Sequence, residues 1–274
     1  MISKFFNPKN DVAFKRLFGT ERNKDILISF LNDVLPNKKV IDVQFLNTIQ
    51  DVEAAALKQS IVDVLCTDQD KSHYIIEMQV AHYKDFIKRA QFYAAKAYTR
   101  QLKIGEEYDK LKEVIFIAIT DFIMFPDKPG YKSDHVVLDG ESYTRNLTDF
   151  SFTFIELPKF KKSEHELKST LDKWCYFFIN TPNDNSVENT FAKDATLTKC
   201  LHELEVFGWD DEELALYERA EKNERDYISI MNSKKEEGRQ EERVEIAKNF
   251  KQLGISLQDI AKATGLAVSD IEKL

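Results

Sequence analysis

Two carboxylates sit where an extended chain has little use for them. In Ser60-Ile61-Val62-Asp63-Val64-Leu65-Cys66-Thr67 a single acid interrupts an apolar run, and in Tyr74-Ile75-Ile76-Glu77-Met78-Gln79-Val80 the polar pair Glu77 and Gln79 does the same. A hairpin turn over residues 68–72, centred on Asp70, pairs residues equidistant from it, so Asp63 faces Glu77 and Ile61 faces Gln79. Residues directly opposite on one sheet face lie about 4.5–5.5 Å apart at Cβ, and two carboxylates that close repel unless positive charge lies between them. A divalent cation, Mg2+ or Mn2+, supplies that charge, because such ions take oxygen ligands, typically one or two carboxylates with water and substrate phosphate. The competing reading is a pair of edge-strand acids turned to solvent. The apolar neighbours and the shared register favour the metal.

A second group of residues points to an anionic substrate. At about 100° per residue from Arg89, the side chains of Tyr93, Lys96, Arg100 and Lys103 fall within about 40° of it on one helix face, with Ile87, Ala90, Ala94, Ala97, Tyr98 and Leu102 opposite. A cationic stripe beside two metal-binding acids is what a phosphodiester backbone requires. An ordinary solvated face is the alternative for its outer members, Arg100 and Lys103.

The elements that must position these groups are legible in outline. Residues 10–19 place Phe14, Leu17 and Phe18 at helical spacing and close on Gly19, and residues 23–35 repeat the pattern up to Pro36. The pattern then turns extended over residues 40–49, 60–67 and 73–80. A helix over residues 84–104 carries the basic stripe. Residues 114–122 form a nearly continuous apolar run, as in a strand buried on both faces. Residues 135–138 and 152–157 add extended pieces, and from residue 162 the chain reads as helical, including a charged stretch over residues 212–243.

The 274 residues are enough for one large domain with an appendage. Apolar residues make up 43% and charged ones 31%, the balance of a globular protein with a well solvated surface. Lys and Arg number 39 against 47 Asp and Glu, a net charge of −8, which excludes whole-surface nucleic-acid binding and demands a local basic patch for any grip on phosphate. Cys66, Cys175 and Cys200 stand far apart and suggest neither disulfides nor zinc. No run approaches the roughly 18 apolar residues of a membrane span, and the first residues lack the apolar core of a signal peptide, so no membrane and a cytoplasmic location are expected.

An acid on the second strand and Glu-x-Lys or a relative on the third, within a helix, three-strand, helix, strand core, resembles the PD-(D/E)XK nuclease superfamily. Asn10-Asp11-Val12-Ala13-Phe14-Lys15-Arg16-Leu17-Phe18-Gly19, Asp63-Val64 and Ile76-Glu77-Met78-Gln79 resemble its recombination-promoting nuclease, or transposase, branch. The likeness covers residues 5–160 and, more loosely, the remainder. It implies an α/β restriction-endonuclease-like core, a mixed sheet flanked by helices, with an all-helical C-terminal extension. It also implies a Mg2+- or Mn2+-dependent DNA endonuclease linked to recombination or mobile elements, with the metal on Asp63, Glu77 and the Gln79 backbone carbonyl. Gln79 stands where the superfamily carries its lysine, so another cation must take over the steadying of charge on the phosphate; Lys15 and Lys88 are candidates. Asp11 is either a third acid at the site or an ordinary helix-start acid. Arg89 and Tyr93 lie where related nucleases carry a Gln-x-x-x-Tyr motif, and with Lys96 and Arg100 they form the expected DNA contact.

Three regions are expected: a core over residues 1–160, a helical region with the long charged helix over 161–249, and a segment over 250–274. In the last, a Ser256-x-x-Asp259 start, Ala261 and a turn at Gly265 resemble a helix-turn-helix. Its final helix offers only Lys273, so packing or homo-oligomer assembly competes with DNA reading. The alternative function is accordingly a catalytically weak or inactive nuclease-like DNA-binding or regulatory protein that works through this segment.

Overall fold

The computed structural model describes residues 4–50, 60–183 and 187–274. Contacts divide the chain into a larger unit, Met1–Ala220, and a smaller one, Glu221–Leu274.

The larger unit opens with α1 (Asp11–Phe18) and α2 (Lys24–Val34). The Asn10 side chain accepts the Val12 N–H and so caps α1, which stops where Gly19 approaches the Lys15 carbonyl; a Cβ on Gly19 would lie 2.9 Å from that oxygen. The strands are β1 (Val43–Phe45), β2 (Ile49–Gln50), β3 (Ser60–Ile61), β4 (Val64–Asp68) and β5 (His73–Gln79), followed by α3 (Phe86–Thr99) and then β6 (Val114–Thr120), β7 (Lys132–Val136) and β8 (Phe150–Glu156). Six of them form one mixed sheet in the order β1-β4-β5-β6-β8-β7, while β2 and β3 pair separately. β5, β6 and β8 run parallel; β1, β4 and β7 run against their neighbours. Three helices follow, α4 (Thr170–Asn180), α5 (Val187–Phe191) and α6 (Ala195–Glu203), and then the long α7 (Asp211–Gln252).

The centre of the sheet is buried on both faces. β6 shows why its seven residues are all apolar or small: Ile115, Ile117 and Ile119 pack toward α1, α2 and α4, and Val114, Phe116 and Ala118 pack toward α3. On the first face Phe18, Phe30 and Trp174 form an aromatic cluster with ring centroids 5.1–5.8 Å apart, and the Trp174 indole donates to Asp33 at 2.8 Å. Truncating any one of these rings to alanine should cost about 3–5 kcal/mol. On the second face α3 lays Ala90, Ala94 and Ala97 against the strands, and these small side chains let the helix lie close to the sheet.

The hairpin register is the one centred on Asp70, with Val64 opposite Ile76 and Thr67 opposite His73. Four expectations need correction. The extended stretches over residues 40–49 and 60–67 each break in two, and Ile61 pairs with Ile49, not Gln79. The break falls at Asp63 because its side chain takes the Met78 N–H that a continued ladder would have used. α3 stops at Thr99 rather than residue 104: the Gln101 amide bonds the Lys112 backbone and the Lys103 N–H bonds Glu106, so local side-chain bonds replace helical ones and Lys103 leaves the stripe. β7 begins at Lys132, ahead of the expected 135–138.

In the smaller unit, the end of α7 meets α8 (Leu257–Thr264) and α9 (Val268–Glu272) around Ala247, Ile260 and Ile271. Ser256 caps α8 by accepting the Asp259 N–H, and Gly265 ends it at φ +72°, a left-handed conformation that favours glycine. Lys251 donates to the carbonyls of Ile271 and Glu272. α9 has only five residues, so a groove-reading helix has little length here. No described helix is long and apolar enough to cross a membrane.

Candidate active site

Where β4 parts from β5, backbone and side chains exchange partners. The Asp63 N–H donates to Glu77 Oε1 at 3.2 Å, and the Met78 N–H donates to Asp63 Oδ2 at 2.8 Å. Each acid therefore holds its place through the backbone of the other's strand. Glu77 is buried, 2% exposed, and Asp63 is half-buried. Gln79, two residues on along the same face of β5, donates its amide to Glu77 Oε2 at 2.9 Å.

Burial pushes the Asp63 carboxyl up from its ordinary 3.8 to about 6; the Met78 N–H and the charges of Lys15 and Arg89 oppose the rise, and the Asp11 charge adds to it. Glu77 is also raised well above its ordinary value, first by burial and then by the Asp63 charge. Among the described residues neither acid forms an ion pair. Two oxygen-bearing groups, held in register with spare lone pairs and no bonded cation, suit a hard divalent ion.

The cations whose charge reaches the pair come from two helices. Lys15 on α1 is bonded to Asp11 at 2.7 Å; burial lowers its pKa, but the Asp11 bond and the charges of Asp11, Asp63 and Glu77 outweigh that and raise it. Asp11 is exposed and serves as partner to Lys15. Its charge also reaches Asp63; among the described residues no set of three or more His, Cys, Asp or Glu gathers as a metal cluster. Arg89 on α3 is half-buried, its guanidinium 5.2 Å from the Tyr83 ring, 5.6 Å from Tyr93 and 5.7 Å from Phe86. It is not an outward member of a surface stripe but a boxed cation, stacked on rings and bonded to Tyr93. Lys96 lies 5.9 Å from the Phe92 ring one turn further along, and Arg100 is exposed at the helix end. Lys88 is exposed on another side of α3 and takes no part in this arrangement.

The Gln79 carbonyl needs correction as a metal ligand. It accepts the Asp121 N–H at 2.9 Å, toward β6. N–H and C=O of one strand residue point to the same edge, so Met78, whose N–H meets Asp63, turns its carbonyl to the acid side instead. Two residues escaped sequence reasoning: Asp121, just past β6, and Lys9, before α1, form an ion pair at 2.6 Å beside Gln79. Nothing in their spacing marks them, because the contact joins segments 112 residues apart.

Among family models, the PD-(D/E)XK nuclease family transposase matches residues 8–234. No curated protein and no solved structure gives a match. The matched span holds the whole mixed sheet, the two acids and the helices on either face, a restriction-endonuclease-like fold, and nucleases of this superfamily generally use divalent metal ions. The chain thus belongs to the PD-(D/E)XK nuclease family transposases, with its helical extension following the nuclease-like sheet.

Proposed function

We propose that the protein is a metal-dependent DNA endonuclease that hydrolyses phosphodiester bonds, linked to recombination or to mobile elements. The observation that carries this reading is the pair of half-buried Asp63 and buried Glu77, locked together through each other's backbone and left without a bonded cation. Asp63, Glu77 and the Met78 carbonyl would hold Mg2+ or Mn2+. When bound, the ion would acidify a water and offset charge on the scissile phosphate.

The chain's own residues divide the remaining work. The Gln79 amide fixes the Glu77 carboxylate by donating to it. Lys15 keeps its proton through Asp11 and presents a positive charge to the acids, the part that lysine plays elsewhere in the superfamily. Arg89, held on its aromatic box, meets the strand's phosphates, with Tyr93, Lys96 and Arg100 continuing the contact along α3. On a chain of net charge −8 this concentrates binding charge beside the acids. α8 and α9 then serve assembly of a homo-oligomer better than sequence reading, because their exposed Lys262 and Lys273 each face an acid of their own helix.

Digestion of supercoiled plasmid with Mg2+, with and without EDTA, tests the reading: wild type cuts, EDTA stops it, and Asp63→Ala is reduced to background. Equal cutting by Asp63→Ala would refute it. A second reading has one observation in its favour, the neutral Gln79 in the lysine position: a nuclease-like protein that binds DNA without cutting it. That version predicts DNA binding with no nicked product at any Mg2+ or Mn2+ concentration.

A further inference from the structure

On the face of the sheet that carries Glu77, the cross-strand row runs from Glu77 to Ala118 on β6 and Phe154 on β8. At the roughly 4.8 Å spacing between strands, Phe154 lies about 10 Å from Glu77 across the sheet. There α3 leaves the sheet uncovered, and a cavity of about 220 Å³ opens between the helix and strands β7 and β8. Its walls are the rings of Phe125, Phe150, Phe152 and Phe154 with aliphatic side chains of α3 and the β7 end between them, and its polar edge is His135 and Gln91. The rings are set for stacking: Phe125 and Phe154 stand edge to face at 5.2 Å, and His135 lies 4.8 Å from Phe125. The exposed Lys128, outside the lining itself, places its ammonium 5.7 Å from the Phe125 ring.

Aromatic walls, a ring nitrogen and an amide at the edge, and one cation beside the Phe125 wall match the three parts of a nucleotide: a π-face, a hydrogen-bonding rim and a phosphate. An aliphatic peptide side chain would use the walls alone, whereas a base edge can exchange with the bonds that the Gln91 amide makes to the Ile87 carbonyl at 3.3 Å and His135 Nε2 makes with Ser133 Oγ at 3.0 Å. The cavity also borders α3, whose Arg89 side acts on Glu77 while its Ala90 and Gln91 side lines the cavity, so one helix separates the acids from the aromatic walls. We propose that this cavity receives one unpaired nucleobase from the strand whose backbone meets Asp63 and Glu77, so that the protein prefers single-stranded or locally opened DNA. This rests on the nuclease reading and adds to it the state of the substrate.

The test uses the full chain carrying Glu77→Gln, which prevents cutting, and three labelled 15-nucleotide probes: a single strand, the matching duplex, and a single strand with abasic sites through its centre. Anisotropy should give the intact strand roughly tenfold or tighter binding than either other probe, the size expected for base stacking. Adding Gln91→Trp, which plugs the cavity from an exposed helix position, should abolish that preference and leave duplex binding unchanged; Phe152→Ala should act in the same direction. Equal affinity for all three probes overturns the inference and leaves the nuclease reading standing, whereas no binding to any probe overturns both. Retained preference in Gln91→Trp also overturns it. So does a loss of preference that accompanies a change of oligomeric state on gel filtration, which assigns the cavity to a second copy. Displacement of the strand by deoxyadenosine monophosphate at equal affinity would assign the cavity to a free nucleotide and overturn the strand assignment.

Discussion

Glu156 and Asp172 are as buried as Glu77, yet they live in a different electrostatic world. Glu156 accepts from the Met124 and Phe125 N–H groups at 2.6 and 3.0 Å and from the Lys159 ammonium at 2.7 Å, and that ammonium spends its other protons on the carbonyls of Phe125 and Lys128. Asp172 accepts from Tyr131, Lys162 and the Lys168 and Ser169 N–H groups at 2.6–3.0 Å; burial alone would raise its pKa, but these bonds outweigh it and hold the carboxyl well below its ordinary 3.8. Glu77 and Asp63 have neutral donors only, and both are pushed upward. These two structural acids are each paired with a lysine, whereas Asp63, just before β4, and Glu77, on β5, have no bonded cation among the described residues. Burying like charges without a partner costs stability, and such strain concentrates at functional sites.

The sharpest break between the two kinds of acid comes from removing a charge at each. Lys159→Met leaves Glu156 in the interior without its bonded cation and should cost about 3–5 kcal/mol, roughly a 10 °C fall in melting temperature by calorimetry. Asp63→Asn should do the opposite in EDTA at pH 7.5, gaining on the order of 1–3 kcal/mol, because it removes one of two repelling carboxylates and keeps an acceptor for Met78. Loss of stability in Asp63→Asn would erase the distinction.

The same contrast has a pH signature. In the folded, metal-free protein Asp63 binds its proton near pH 6 but in the unfolded chain only near its ordinary 3.8, so between those values the folded state holds more protons and stability rises as pH falls. Asp172 works in reverse: its contribution is full above about 4 and is lost as pH falls below that. Urea unfolding in EDTA should therefore show stability rising from pH 7 toward 4.5 and falling below 4. Asp63→Asn should flatten the upper limb and spare the lower. The smallest expected effect lies at the substrate: Arg89→Ala should weaken binding of unrelated DNA sequences alike and reduce the salt slope by about one counterion. A slope unchanged from wild type would remove Arg89 from the interface.

Much of this is legible in the sequence. The turn around Asp70 sets the register of β4 and β5, and Gly19 and the apolar run of β6 mark where α1 ends and where the sheet is doubly covered. The proximity of Asp63 and Glu77 followed from the same register. What failed to show were features set by tertiary exchange of partners. A strand pattern cannot tell that Asp63 will take the Met78 N–H and end the ladder, because the apolar run resumes on its far side at Val62 and Ile61. The aromatic box around Arg89 needs Tyr83 from the loop before α3, which lies outside any helical period. Lys159 and Lys9 are two lysines among many until the fold sets one against Glu156 and the other against Asp121.

Calorimetric titration with Mn2+ bears most directly on the central claim, that Asp63 and Glu77, which lack a bonded cation, are a metal site. Wild type should bind the ion with a heat that vanishes in Glu77→Gln and in Asp63→Asn, while both variants unfold at or above the wild-type temperature in EDTA. Undiminished Mn2+ binding by either variant, or no binding by wild type at neutral pH, would contradict it.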